Sequence, residues 1–279
     1  MISAPWQPTC FKRFEECVVG TSTRPARIVT DAGRAYLKAM NNPMGPHALA
    51  REWVGTRLAD WFGLDTFDMA ILHLEEFDEV HIDGVGIAEP GPCLLTRAVV
   101  DGTPWGGDAK ELELLDNPEH ISRIVVFDTW TRNADRHPPA GAMRKPRRDN
   151  VFFSPEGATS GRFRLVAMDH TECFVSTARE LNGRIAGIEA IKDEGIYGLF
   201  PEFKQLMDIR QLRSAEETLR EIEPSILDQI LDDLPSEWQV SVAARGALSK
   251  LVIERAAFLA DNVVDLIRPL CWPGELSLG

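Results

Sequence analysis

Alternating apolar and polar residues occupy most of the first hundred positions and predict short β-strands separated by turns. The predicted strands are residues 11–19, 26–30, 34–40, 65–74, 80–87 and 92–96. A helical spacing of apolar residues interrupts them at about residues 47–62, and Gly63 follows as a residue suited to a left-handed cap. This part of the chain is therefore expected to be mainly β-sheet with one helix.

After residue 107 the apolar spacing becomes helical. The predicted helices are residues 109–115, 118–132, 177–182, 203–207, 209–222, 224–234 and 237–268. Ser236 and Gln239 have the spacing of a capping box, which predicts the start of the last helix. We expect an α+β chain of two lobes, a β-rich N-lobe at residues 1–100 and a helical C-lobe at residues 101–279, with the boundary near residues 99–107.

Three polar residues beside apolar segments carry the main candidate chemistry. Asp135 lies in the loop after the helix predicted at 118–132, and Asn150 precedes the apolar residues 151–153. Asp169 follows residues 163–168, which are apolar apart from Arg164. A carboxylate at Asp135 is placed to accept a hydrogen bond from a substrate hydroxyl and align it for attack, and oxygen atoms at Asn150 and Asp169 suit magnesium. Each alone is an ordinary turn residue, whereas the ordered set indicates a phosphotransferase.

Upstream residues supply partners for a nucleotide. Lys38 alternates with Tyr36 and Met40, so the three share one face of a predicted strand, and Glu52 lies on the helix that follows. Residue statistics favour a solvated lysine on an edge strand and a solvated helix carboxylate; the later motifs favour an ion pair on the phosphates. A short turn between the first two strands has backbone N–H groups that suit phosphate, at Gly20, Thr21, Ser22 and Thr23.

Several polar residues near Asp135 have less direct interpretations. Asp128, two helical turns earlier, is interpreted as a structural residue that hydrogen-bonds the backbone of the loop, and His137 as a hydrogen-bonded brace. A basic segment at residues 138–149, called the insert below, separates Asp135 from Asn150. Its basic residues predict either a solvated loop or contact with an acidic substrate or phosphate. These basic residues are Arg144, Lys145, Arg147 and Arg148.

Composition excludes several classes of protein. The net charge is −13, from 30 Lys and Arg against 43 Asp and Glu, which argues against general nucleic-acid binding. An odd set of five cysteines without metal-type spacing predicts neither a zinc site nor a disulfide framework. No apolar run reaches the roughly 18 residues of a membrane span, and the first nine residues do not form an export signal. We therefore expect a cytoplasmic protein without membrane insertion.

The order of these motifs resembles that of the HipA-like kinases, relatives of the protein kinases and phosphatidylinositol kinases. The resemblance rests on residues 20–25, Lys38, Glu52, the run from Asn133 to His137, and Asn150 with Asp169, and it spans about residues 18–174. It implies a two-lobed protein-kinase-like fold, ATP and Mg²⁺ as cofactors, and phosphorylation of a serine or threonine in a protein.

The resemblance also implies roles for individual residues. Lys38 and Glu52 would form the ion pair on the nucleotide side, and Asp135 would be the catalytic acid. Asn150 and Asp169 would hold the metal. The hinge beside the nucleotide would consist of Arg97, Ala98 and Val99.

One departure from the kinase pattern affects Asn150. The pattern has the amide about five residues after the catalytic acid, whereas here the insert stands between Asp135 and Asn150. Two other functions stay open beside protein phosphorylation. One is nucleotidyl transfer, or phosphorylation of a lipid or small molecule, on the same fold; the other is a non-catalytic nucleotide-binding module that uses the insert for a partner.

Overall fold

A computed structural model describes residues 6–175 and 180–273. Its N-terminal part contains a five-stranded antiparallel sheet with the order β1-β2-β3-β7-β4. The strands of this sheet are β1 (Phe11–Cys17), β2 (Ala26–Thr30), β3 (Gly33–Lys38), β4 (Met69–Leu74) and β7 (Gly91–Arg97). The short hairpin of β5 (His81–Ile82) and β6 (Gly86–Ile87) stands where one strand is predicted at 80–87, because the chain turns at Gly84 with φ 63°. The prediction of one strand there is wrong.

Alternation along the strands gives this sheet two different faces. Ile28, Ala35 and Leu37 are fully buried in a small core on one face. Tyr36 and Lys38 point to the opposite face, as the period of two requires. Because β3 pairs with β2 on one side and β7 on the other, Lys38 does not lie on an edge strand, and its side chain is only 12% exposed. The expectation of a solvated lysine is wrong.

Helix α1 (Pro46–Trp61) joins the sheet to the rest of the molecule. Proline at its first position has no backbone N–H that would lack a partner there, and Gly63 follows the end of the helix with φ 81°. Leu49 and Trp53 pack into the larger of the two cores. Glu52 is buried as well, so the prediction of a solvated carboxylate is also wrong.

The C-terminal part is mainly helical. Its helices are α2 (Ala109–Leu112), α3 (His120–Thr131), α4 (Ile188–Ile191), α5 (Ile209–Arg220), α6 (Pro224–Asp232) and α7 (Val242–Cys271), with 3-10 turns at Arg148–Asn150, Pro201–Leu206 and Ser236–Trp238. A small antiparallel sheet, in the order β10-β9-β8, consists of β8 (Thr103–Pro104), β9 (Val151–Ser154) and β10 (Arg164–Ala167). Helix α3 lies inside this part, where Trp130 Nε1 donates to the carbonyl of Val252 on α7 at 2.9 Å.

The last helix begins later than its capping-box spacing predicts. Gln239 has φ 58°, a left-handed conformation that ends the 3-10 turn before it. Ser236 hydrogen-bonds the side chain of Glu237. The N-cap is Ser241, whose hydroxyl accepts from the backbone N–H of Ala244 at 3.2 Å. The prediction of a capping box at Ser236 and Gln239 is therefore wrong.

The α+β class, with a β-rich N-terminal part and a helical C-terminal part, is confirmed. The lobe boundary near residues 99–107 stays a prediction. Residues 177–179 of the helix predicted at 177–182 lie outside the described residues, and residues 180–182 are not helical. Across residues 6–175 and 180–273, none of the helices combines the length and the apolar character that crossing a membrane demands.

Candidate active site

A cavity of about 370 Å³ lies between the polar face of the five-stranded sheet, the turn after β1 and the loop after β10. Seven of the sequence-predicted site residues line it, namely Thr21, Thr23, Lys38, Glu52, Arg97, Val99 and Asp169. Gly20, Ser22, Ala98, Asp135 and Asn150 are not among its lining residues. The N–H of Ala98 already donates to the carbonyl of Arg34 at 3.0 Å. The cavity therefore gathers residues from β3, α1, β7 and two loops that are far apart in the chain.

The lysine in this cavity lies between two carboxylates. Lys38 Nζ is 3.5 Å from Glu52 Oε2 and 4.0 Å from Asp169 Oδ1. Burial opposes the charged lysine, but attraction to Glu52 and Asp169 outweighs it and raises the pKa of Lys38. The ammonium therefore stays charged at neutral pH.

Glu52 connects helix α1 to the loop that carries Asp169. Its Oε2 accepts from the N–H of His170 at 2.8 Å, and Arg51 beside it donates Nε to the carbonyl of Thr171 at 2.5 Å. Burial raises the pKa of Glu52 to about 7, with Lys38 opposing that rise. These contacts fix the loop against the helix, so the positions of Lys38, Glu52 and Asp169 depend on one another.

Asp169 is held in a conformation that few residues adopt. Its φ is 58°, in the left-handed region that aspartate tolerates better than most residues. Oδ1 accepts from the Thr171 hydroxyl at 2.6 Å. Burial disfavours its charge, but Lys38 and the bonds from Thr171 lower the pKa of Asp169 to about 2. The carboxylate is thus ionised, and Oδ2 accepts no hydrogen bond from the residues the structure describes.

The structure brings Asn150 to Asp135 despite the insert. Asn150 Nδ2 donates to Asp135 Oδ2 at 2.7 Å, and both side chains are buried. This bond leaves Asn150 Oδ1 without a donor among the described residues. Burial and repulsion from Asp169 raise the pKa of Asp135. Oδ1 of Asn150 and Oδ2 of Asp169 are oxygen donors of the kind Mg²⁺ prefers, so these residues fit that ion.

Arg136, which the sequence analysis does not single out, connects the loops of the site. Its completely buried guanidinium donates Nε to the carbonyl of Asn150 at 3.0 Å and Nη2 to the carbonyl of Met168 at 2.7 Å. Nη1 donates to Asp128. One side chain thus holds the residue before Asp169 and the backbone of Asn150. The available signal was an arginine directly after the candidate acid.

Asp128 and His137 act on the loop that carries Asp135. Asp128 contacts side chains, those of Arg136 and Asn133, while its backbone carbonyl accepts from the N–H of Asn133 at 2.9 Å. Asp128 therefore hydrogen-bonds the loop's backbone through its own carbonyl, whereas its side chain binds an amide and a guanidinium. His137 shares a hydrogen bond of 2.8 Å with the carbonyl of Pro138, and its ring packs edge-on against Phe200. Its contacts are those of a brace.

The arginines in and beside the insert are paired. Arg144 bridges Asp135 and Glu172, and Arg147 pairs with Asp149 at 2.6 Å. Arg148 pairs with Glu202 and packs over the rings of Trp105 and Phe200. Lys145 is exposed and makes no ion pair with any described residue. The basic segment is therefore more than a solvated loop, because Arg144 reaches the candidate catalytic acid.

Comparison with known proteins identifies the family. The profile of the HipA-like kinases matches residues 16–257, which is most of the chain. The chain belongs to the HipA-like kinase family. None of the curated proteins compared with this HipA-like kinase gives a significant match.

Two solved structures are similar to this HipA-like kinase. One is the Helicobacter pylori proinflammatory kinase CtkA, with a TM-score of 0.58 and 13% identity over 97% of this chain and 98% of that chain. The other is a chain from the Shewanella oneidensis MR-1 complex of the toxin-antitoxin proteins HipA and HipB with operator DNA. It has a TM-score of 0.48 and 12% identity over 93% of this chain and 68% of that chain. At this identity, the similarity to CtkA supports the fold alone.

Proposed function

We propose that this HipA-like kinase transfers the γ-phosphate of ATP to a serine or threonine hydroxyl of a protein. The observation that carries the proposal is the convergence of Lys38, Glu52 and Asp169 on one cavity, beside the hydrogen-bonded pair of Asp135 and Asn150. Phosphoryl transfer needs a cation on the phosphates, oxygen ligands for a metal and a carboxylate near the acceptor. The cavity and the pair of Asp135 and Asn150 supply all of these.

In this proposal each residue has one role. Lys38, oriented by Glu52, neutralises phosphate oxygens, and the turn with Thr21 and Thr23 covers them. Asp135 accepts a hydrogen bond from the acceptor hydroxyl and aligns it. Asp169 and Asn150 hold Mg²⁺.

Bound Mg²⁺ would neutralise charge that develops on the phosphates. The ATP base would lie toward Arg97 and Val99, between an N-lobe of residues 1–100 and a C-lobe of residues 101–279. Arg97 pairs with Asp68 at 2.7 Å and with Glu156 at 2.6 Å, so it already links the two sheets that border the cavity.

The test is incubation with MgATP followed by intact-mass measurement of the protein and its acceptors, together with ATP binding by calorimetry. We expect Asp169→Asn to lose magnesium-dependent ATP binding and transfer. We expect Asp135→Asn to keep binding and to lose transfer by about 10²–10⁴-fold, the range for positioned acid–base groups. Asp149→Asn is the matched control, because Asp149 is exposed and pairs with Arg147.

Full transfer activity in both Asp135→Asn and Asp169→Asn would contradict the proposal. The mass added to the acceptor separates phosphate from adenylate, and the acceptor class separates protein from small-molecule phosphorylation. Tight ATP binding without transfer to any acceptor, including water, would indicate a non-catalytic module instead.

A further inference from the structure

The insert places a guanidinium on the proposed catalytic acid. Arg144 Nη2 donates to Asp135 Oδ1 at 2.6 Å, and Nη1 donates to Glu172 Oε2 at 3.2 Å. The other oxygen of Asp135, Oδ2, accepts from Asn150. Both oxygens of the carboxylate therefore have donors already. The side chain of Asp135 is only 5% exposed in this arrangement, so an acceptor hydroxyl reaches the carboxylate when one of those donors moves aside.

Of the two donors, Arg144 is the one that can leave. Asn150 is 1% exposed, and its backbone carbonyl is held by the buried guanidinium of Arg136. The side chain of Arg144 is 41% exposed, and its neighbour Met143 is fully exposed. A long side chain on a surface segment can swing away without disturbing the packed core. The acceptor is therefore expected to enter where Arg144 now lies.

Glu172 determines what kind of acceptor fits there. It lies three residues after Asp169, its side chain is 16% exposed, and within residues 6–175 and 180–273 its one ion-pair partner is Arg144. When Arg144 leaves, a largely buried carboxylate loses its cation, which is unfavourable. A cation on the acceptor would restore the pair. The arrangement favours an acceptor hydroxyl with a positive charge beside it.

We propose that Arg144 is an internal pseudosubstrate: it covers Asp135 in the resting protein, and the acceptor is a serine or threonine in a basic peptide segment whose cation replaces Arg144 on Glu172. The insert can fill this place without becoming phosphorylated, because residues 138–149 contain no serine, threonine or tyrosine. A chain with a net charge of −13 also attracts basic segments over a distance. The proposal rests on the kinase function proposed above.

The experiment compares two serine peptides that are identical except for arginine or glutamate beside the serine. Phosphate transfer to each is measured with MgATP for the full chain and for Arg144→Ala, Glu172→Gln and the control Lys145→Ala. The protein without substitutions should prefer the arginine peptide over the glutamate peptide by at least tenfold in kcat/KM. Arg144→Ala should raise transfer to that peptide several-fold, because Asp135 is uncovered. Glu172→Gln should reduce the preference to less than threefold, and Lys145→Ala should change neither quantity.

ADP release to water, without any peptide, supplies a readout that does not depend on the acceptor. It should rise in Arg144→Ala and stay unchanged in Lys145→Ala. A fall in ADP release or peptide transfer in Arg144→Ala would overturn the proposal, since Arg144 would then assist the transfer. So would an undiminished arginine preference in Glu172→Gln. Absence of magnesium-dependent ADP release in every variant would contradict the kinase function itself, whereas active transfer without charge preference would contradict only the acceptor class.

Discussion

Replacing Arg136 by methionine tests how the loops of the site are held together. Methionine keeps an unbranched chain of similar length but removes the charge and every donor. Asp128 is then left with the amide of Asn133, at 3.3 Å, as its side-chain partner. The carbonyls of Asn150 and Met168 each lose the donor that Arg136 supplies.

The expected loss of stability follows from these contacts. Removing one partner of a buried ion pair costs about 3–5 kcal/mol, and each buried acceptor left unpaired adds about 1 kcal/mol or more. Because the loops relax, we expect a total of about 4–6 kcal/mol, a large part of the roughly 5–15 kcal/mol that stabilises a folded domain. At about 2–4 °C per kcal/mol, Tm should fall by about 8–24 °C.

The loss should also depend on pH. Burial already raises the pKa of Asp128 to about 6 although Arg136 opposes the rise, so removing Arg136 raises it further. A carboxyl with a raised pKa stabilises the fold when protonated and loses that contribution as pH rises through the folded pKa. The loss of stability in Arg136→Met should therefore be largest near pH 8 and become smaller toward pH 5.

Urea unfolding followed by circular dichroism at pH 8 and pH 5.5 measures both effects. Arg210→Met is the matched control, because its pair with Asp208 is on the surface and should contribute less than about 1 kcal/mol. The double variant Asp128→Asn with Arg136→Met removes both charges and should be more stable than Arg136→Met. If Arg136→Met lowers the free energy of unfolding no more than Arg210→Met does, the reasoning is refuted. It is also refuted if the loss of stability in the double variant equals the sum of the losses in the two single variants.

Three further substitutions test packing and capping, all by thermal or urea unfolding. Gly55→Ala should destabilise the protein by about 1–3 kcal/mol, because a Cβ there would lie 2.5 Å from the Cβ of His170. An unchanged Tm would show that His170 can move aside without loss of stability. Gly246→Ala, at an exposed position of α7 with no atom within 4 Å of the new Cβ, should stabilise by about 0.5–1 kcal/mol, and a loss would contradict the helical-entropy argument. Ser241→Ala should cost about 1 kcal/mol by removing the N-cap of α7, whereas no change would show that the helix starts elsewhere.

The local spacing of apolar and polar residues was sufficient to predict the order of the secondary-structure elements and of the motifs along the chain. Five of the six predicted strands each overlap one observed strand, and most predicted helices overlap observed helices, since periods of two and 3.6 report directly which side of an element is apolar. The same spacing placed Lys38 on a strand, Glu52 on the next helix, and Asp135, Asn150 and Asp169 at the ends of apolar segments. Together with the resemblance, this was enough to predict the fold class and the family, and both are confirmed.

Contacts between distant parts of the chain decided which residues are buried and which side chains pair. Lys38 is buried because β3 lies between two other strands, and no local pattern reports the order of strands in a sheet. Arg136 holds Met168 across 32 positions, and the insert bends so that Arg144 reaches Asp135 while Asn150 returns to the same carboxylate. Charge pairing and burial depend on which surfaces meet after folding. The sequence by itself determined which residues were available for chemistry, and only the tertiary structure decided which of them meet.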